Sequence, residues 1–423
     1  MTAPNRRRRA ARRKRLFFVV LLLGFMLSNL MRISGVVVLP PLGESLGLSA
    51  STIGFLSSLF FYTYGLSFGL WGVLIDRRGA FRCCGAALLI AACGSFIMMF
   101  SGTAFAVGLG RALCGLGLSS AFTGILTYCA VSFPQKDYGG YVGLSMVVGH
   151  SGTIIAVAPL GFAMELIGSR GVFCLLGLFT SALGASLLYF RRLDPQPQPR
   201  PGEGAVNPAA VFRELWAVLK NIWRKFPLRV VMYTWGISAA AGAALQGLWA
   251  VAWLQSSAGM ARDTAYLCAT WISFGMVAGP AFGGWLVKRC RDEKRSFFTV
   301  CLLTQASWML WLLLSIFAKS PALFGAAGFM IGFFNGCGYV FMGNEVRALV
   351  PLNQNGGTVG VINMFLYLMV IVFQWGTGVC LDLFKAPAGG YTNIGFLSGF
   401  FLIVLLQGWA FRLITKVSSF KAA

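Results

Sequence analysis

Two arginines stand in apolar stretches where charge is costly: Arg32 within residues 16–40 and Arg111 within residues 104–129. A charge at the centre of a hydrocarbon span costs at least ~2.5–3.5 kcal/mol, so each needs a partner or a ligand. A guanidinium presents planar, paired donors that match the oxygens of a carboxylate or phosphate, and the chemistry this predicts is anion binding. The competing role is structural, with each arginine held by backbone carbonyls or an acid and locking helices together. His150, the one histidine, stands midway along residues 139–165. It can exchange a proton near neutral pH or serve as a neutral packing residue. Asn29, Tyr62, Tyr64, Gln246, Trp249, Asn335, Asn363 and Gln374 are uncharged candidates for lining a cavity. Acids are confined to span ends, with Glu44, Glu165, Asp263 and Asp382 at one side and Asp76, Asp137 and Glu345 at the other. A carboxylate proton relay is therefore not visible. Nor is there a hydrolase triad or a P-loop. Eleven cysteines, an odd number without a C-x-x-C pair, read as small packing residues rather than a disulfide framework or zinc site. The expectation is a non-enzyme with no cofactor and no metal.

The elements that must position these groups are membrane helices. The chain is 57% hydrophobic and 11% charged, with mean hydropathy +0.75. Apolar runs of ~20 residues, each long enough to cross ~30 Å of hydrocarbon as a helix, recur along its 423 residues. Twelve are predicted, at 16–40, 52–75, 84–101, 104–129, 139–165, 170–190, 229–256, 264–287, 297–317, 321–345, 357–382 and 392–414. The net charge of +23 raises nucleic acid as a partner, and its distribution argues against one. With the N-terminus in the cytoplasm, 29 of the 35 lysines and arginines fall on inner segments, four (Arg170, Arg262, Lys319, Lys385) on outer ones and two within spans. That bias predicts both termini cytoplasmic and an attraction to anionic headgroups. Alternate spans run in opposite directions, so Arg32, past the middle of its span, and Arg111, before the middle of its own, both fall in the outer half of the membrane.

The predicted organisation is a basic tail at 1–15, a six-helix half at 16–190, a cytoplasmic linker at 191–228, a second six-helix half at 229–414 and a tail at 415–423. The first span continues to Pro40-Pro41 without a small-residue cleavage site, which favours an uncleaved helix over a signal peptide. The linker opens on a proline-rich run from Asp194 to Gly202. From Val211 to Trp223 its apolar residues recur at helical spacing with bases between them, as in an amphipathic helix lying on the inner leaflet; a plain linker is the alternative. Weak echoes between Arg111–Gly117 and Gly332–Gly338, and between Gly72–Arg77 and Gly284–Arg289, suggest two related halves with a site between them near the midplane.

Between the second and third spans the chain reads Gly72-Val73-Leu74-Ile75-Asp76-Arg77-Arg78-Gly79-Ala80-Phe81-Arg82. Gly72 suits a close helix approach, Asp76 a helix cap or a pairing across a gate, and Arg77, Arg78 and Arg82 a cytoplasmic loop. This G-x-L-x-D-R-x-G-x-x-R pattern resembles the signature loop of the major facilitator superfamily of transporters. Arg111 with Gly115 and Gly117 resembles that superfamily's R-x-x-x-G-x-G element, tied to coupling. Gly143, Gly149, Gly152, Pro159 and Gly161 loosely resemble the fifth-helix motif of antiporters, although Ala158 precedes Pro159 and the G-P dipeptide is absent. Arg32 has the placement of a first-helix arginine in families that carry organic anions, including organophosphate and hexuronate transporters. The organophosphate pattern adds a seventh-helix arginine, where this chain has only Arg229 at the inner end and Gln246 deeper.

The resemblance implies an all-α membrane protein of twelve transmembrane helices in two six-helix halves, in a bacterial inner membrane or equivalent plasma membrane. It implies a monomeric secondary transporter of a small-molecule substrate, an organic anion such as a carboxylate, sugar acid or phosphate ester, working by alternating access with proton or counter-anion coupling. The substrate-binding candidates are Arg32, Arg111, Tyr62, Gln246, Asn335 and Asn363. His150 and Arg111 are the coupling candidates, and Gly72, Asp76, Arg77, Gly79 and Arg82 form the gate motif. Two alternatives stay open: an efflux pump for drugs or metabolites, and a transporter-like solute sensor docking a partner through the proline-rich linker.

Overall fold

The computed structural model describes residues 3–194, 208–289, 293–350, 352–385 and 390–417. The proline-rich run expected from residue 195 lies outside them, as do the side chains of Asp76 and Arg77. Every regular element among the described residues is a helix. In chain order these are α1 (Ala3–Ile33), α2 (Gly35–Ser45), α3 (Ala50–Arg78), α4 (Ala80–Met99), α5 (Ala104–Leu118), α6 (Ser120–Ser132), α7 (Gln135–Ile155) and α8 (Ala158–Tyr189). After these come α9 (Pro208–Arg224), α10 (Phe226–Ala244), α11 (Ala250–Ala258), α12 (Arg262–Arg289), α13 (Glu293–Phe317), α14 (Pro321–Leu349), α15 (Leu352–Leu383) and α16 (Asn393–Ile414).

All of these but α9 belong to twelve spans, because several spans are broken and α8 is shared by two. The first is α1 plus α2, interrupted at Ser34, and α2 carries Pro40 and Pro41 within it. The fourth is α5 plus α6, and the fifth is α7 plus the start of α8. A left-handed Gly168 (φ 69°) inside α8 turns the chain into the sixth. The seventh is α10, a π-helical turn at Leu245–Trp249, and α11. Ten stretches among the described residues are long and apolar enough by themselves to cross a membrane. The protein is a multi-pass membrane protein.

The chain divides into two compact units. One contains residues 1–32, 62–155 and 163–206; the other contains 33–61, 156–162 and 207–423. In the second unit α12 and α14 form the most intimate pair, since Cβ atoms on Gly275, Gly279 or Gly332 would run into the facing backbone. Small residues at such a seam let two helix backbones approach closely. In the first unit Thr63 Oγ1 donates to the Ala112 carbonyl (2.7 Å) and Trp71 Nε1 to the Leu116 carbonyl (2.7 Å). These bonds hold α3 against α5 and set which α3 side chains face α1.

Candidate functional site

The polar groups of the first unit collect on α1, α3 and α7. Arg32 is half-buried in the last turn of α1, and its Nη2 donates to Asn29 Oδ1 at 2.7 Å, three residues back on the same helix face. Asn29 in turn donates from Nδ2 to the Phe25 carbonyl (3.1 Å). This orients the amide with its oxygen toward the guanidinium. The buried Nε of Arg32 has no hydrogen-bond partner among the described residues. Tyr64 on α3 is buried, hydrogen-bonds with Ser28, and lies within electrostatic reach of Arg32. Ser28 donates to the Leu118 carbonyl (3.1 Å).

His150 on α7 also interacts electrostatically with Arg32. Its Nδ1 lies 2.8 Å from the Met146 carbonyl and its ring meets Phe25 edge-on at 6.1 Å. A carbonyl can only accept, so Nδ1 carries the hydrogen and Nε2 holds the lone pair in the neutral ring.

The two arginines have different surroundings. Arg111 is fully buried, and its Nη1 donates to the Met31 carbonyl at 3.0 Å. It ties α5 to the backbone immediately before Arg32. Tyr62 is half-buried, two residues and about 200° around the helix from Tyr64; it is Tyr64 that the structure brings to Arg32.

In the second unit the expected residues meet hydroxyls. Gln246 is buried in the π-helical turn and donates from Nε2 to Ser273 Oγ (2.8 Å). Such turns are frequent at functional positions. Asn335 on α14 accepts at Oδ1 from Ser238 Oγ (3.2 Å), while its Nδ2 has no partner among the described residues. Asn363 is half-buried on α15. Gln374 is wholly buried, its side-chain amide atoms have no partner among the described residues, and its backbone carbonyl accepts from Trp249 Nε1 (3.2 Å).

A further contact in this unit was not among the expected site residues. Asp382, near the C-terminal end of α15, accepts from the Ala50 N–H (2.9 Å) and the Ser51 N–H (2.8 Å) at the start of α3. An acid near its own helix's C-terminus opposes that helix's dipole, whereas at another helix's N-terminus it is favourable; that misplacement is the sequence signal for it. Close packing accompanies the cap. A Cβ on Gly54 would lie 2.5 Å from the Gln374 carbonyl oxygen, and one on Gly378 would lie 2.5 Å from that of Ala50. Beside it, burial pushes the Tyr391 phenol up, and the Glu44 and Asp382 carboxylates add to that shift.

At the loop between the second and third spans, α3 runs to Arg78 and α4 starts at Ala80. Gly79 joins them at φ 88°, a conformation that glycine adopts without the strain a side chain brings. The Phe81 N–H donates to Asp194 Oδ2 (2.7 Å), so an acid at the end of the sixth span caps α4. Arg82 is exposed. Among the described residues, a Cβ on Gly72 would meet Thr123 at an ordinary 3.7 Å.

A family model described as Major Facilitator Superfamily matches residues 16–374. The chain belongs to the major facilitator superfamily. Among solved structures, a bacterial homologue of the human lysosomal transporter Spinster, in an inward-facing and unoccupied conformation, matches with TM-score 0.75. The identity is 14%, covering 96% of this chain and 97% of that one, which shows the shared fold. Among curated relatives, a probable chloroplastic anion transporter of Oryza sativa subsp. japonica is 29% identical over 38% of this chain and 29% of its own length. A phosphoglycerate transporter protein of Salmonella typhimurium is 30% identical over 35% of this chain and 32% of its own. The membrane sensor protein UhpC of Escherichia coli is 24% identical over 91% of this chain and 89% of its own. The chain thus spans under a third of the first two relatives and most of the third. Membership of this superfamily indicates a transporter rather than an enzyme.

Proposed function

We propose that this protein is a secondary active transporter of a small organic anion (a carboxylate, sugar acid or phosphate ester) that works as a monomer by alternating access, with both termini in the cytoplasm. The observation that carries the reading is Arg32. It is a half-buried guanidinium whose Nε has no partner among the described residues, and the described groups around it, Asn29, Ser28, Tyr64 and His150, are polar but carry no acid. Such a group lacks a fixed counter-charge and favours a ligand that supplies one. Arg111, fixed on the Met31 carbonyl, supports the shape of this site, and Gln246, Asn335 and Asn363 contribute uncharged contacts. His150 and Arg111 are the coupling candidates, and the neutral ring of His150 can take a proton at Nε2. The Gly72, Asp76, Arg77, Gly79 and Arg82 motif serves as the gate. Reporter fusions at Gly202 and Gly259 test the orientation, with Gly202 inside and Gly259 outside.

A second reading has a specific observation behind it, since the relative aligned along most of its length is named a membrane sensor. A sensor binds solute without moving it. Counterflow in proteoliposomes separates the two. Exchange of labelled carboxylate, sugar acid or phosphate ester supports the transporter, whereas binding of the same compound without exchange overturns it in favour of the sensor. An amphipathic-drug efflux pump would instead exchange cations or neutral apolar compounds.

A further inference from the structure

The helix α9, between the two predicted halves, does not lie with its apolar face free. Ile222 is fully buried and Val218 and Leu219 are partly so, and the helix packs against α10 and α15. The protein therefore occupies the hydrophobic side of this amphipathic helix. What remains exposed is a stripe of a different kind. Arg213, Lys220 and Arg224 fall within about 40° of one another at 100° per residue, and all three are exposed. Trp216 (59% exposed) and Trp223 (57%) line one edge of that stripe. The sequence of α9 holds a single acid, Glu214.

The next helix fixes the level of this stripe. α10 begins at Phe226 and opens the apolar stretch Phe226–Ala258. The Arg229 guanidinium stands 6.0 Å from the Trp223 ring centre and 5.4 Å from that of Phe226, a cation–π contact that holds Trp223 at the mouth of the span. Tryptophan at the end of a membrane helix belongs at headgroup depth, and bases at that depth meet lipid phosphates.

We infer that the outward face of α9 is a binding surface for the headgroups of anionic phospholipids, with Arg213, Lys220 and Arg224 meeting the phosphates and Trp216 and Trp223 seated among the headgroups. The inference rests on the membrane placement of α10 and is independent of the substrate. Charge complementarity selects the occupant, because three bases beside exposed indoles suit a negative lipid surface and give a zwitterionic one little to hold.

The test uses the full-length protein in nanodiscs containing equal phosphatidylglycerol and phosphatidylcholine, with retained lipids counted by native mass spectrometry. The wild type retains phosphatidylglycerol preferentially. Arg213→Gln/Lys220→Gln/Arg224→Gln lowers that preference on the order of a hundredfold. Arg191→Gln/Arg192→Gln/Arg412→Gln, which removes three exposed charges elsewhere, leaves it within about twofold. Arg213→Lys/Arg224→Lys keeps the preference and shows that α9 tolerates change, and Lys220→Gln alone gives a partial loss should the triple variant not purify. Equal losses in the α9 and control variants, no preference in the wild type, or abolition of the preference by excess inorganic phosphate would each overturn the proposal, the last by revealing a site for a soluble anion.

Discussion

Around Arg32 the first unit gathers a guanidinium, an imidazole, a phenol and an amide, whereas in the second unit the amides of Gln246 and Asn335 meet hydroxyls. Neither neighbourhood is fully satisfied: Gln246 has Ser273 and Asn335 Oδ1 has Ser238, yet among the described residues Arg32 Nε, Asn335 Nδ2 and both Gln374 amide atoms have no partner. A buried donor without a partner costs about 1–3 kcal/mol, more when charged, so the heavier cost falls on the guanidinium. Under the proposed function, charge selection belongs to the first unit, and the second supplies contacts indifferent to charge. Substitutions in each unit should therefore fail in different ways.

The largest effect is expected at Arg32. Arg32→Ala removes charge-assisted hydrogen bonds of about 1.5–3 kcal/mol, so anion binding should weaken roughly tenfold to a hundredfold and counterflow should fall with it. Arg32→Lys should restore only part, since a point charge replaces a planar fork. Titration calorimetry on the purified protein reads both, and an unchanged affinity in Arg32→Ala would break the comparison.

Arg111→Ala should act on stability before binding. It leaves the buried Met31 carbonyl without the 3.0 Å donor that now satisfies it, at a cost of about 1–3 kcal/mol. A thermal melt should fall while anion affinity changes less than in Arg32→Ala. The reverse order would make Arg111 the substrate residue and Arg32 the lock.

Asp382→Ala should have a smaller and local effect. Losing an acceptor for helix N-terminal donors costs typically about 1 kcal/mol, so hydrogen exchange at the Ala50 and Ser51 amides should accelerate roughly fivefold. Anion affinity measured in detergent should move far less than in Arg32→Ala. Unchanged protection of those amides would show that the glycine contacts hold this end of α3 without the carboxylate.

Much of the fold is legible in the sequence because a bilayer imposes one length and one polarity on every span. The twelve apolar runs and the Gly79 turn follow from that rule and from glycine's freedom at positive φ. The interruptions are harder to read. The π-helical turn at Leu245–Trp249 and the break at Ser34 carry no proline and no charge at the break itself. The site is legible in its charge and not in its partners. Tyr62 and Tyr64 are equivalent by composition, and only the bonds from Thr63 and Trp71 to α5 determine which one faces Arg32. Likewise Arg111, Asp194 and Asp382 find their acceptors or donors 80, 113 and more than 330 residues away, and hydropathy holds no information about pairings at that range.

The most direct test of the central claim compares an anionic substrate with its neutral amide in the wild type, in Arg32→Ala and in Gln246→Leu. The account predicts that the wild type prefers the anion at least tenfold, that Arg32→Ala erases the preference, and that Gln246→Leu weakens both ligands while leaving the preference intact. Equal binding of anion and amide by the wild type, with neither altered in Arg32→Ala, would contradict it and point to a neutral solute.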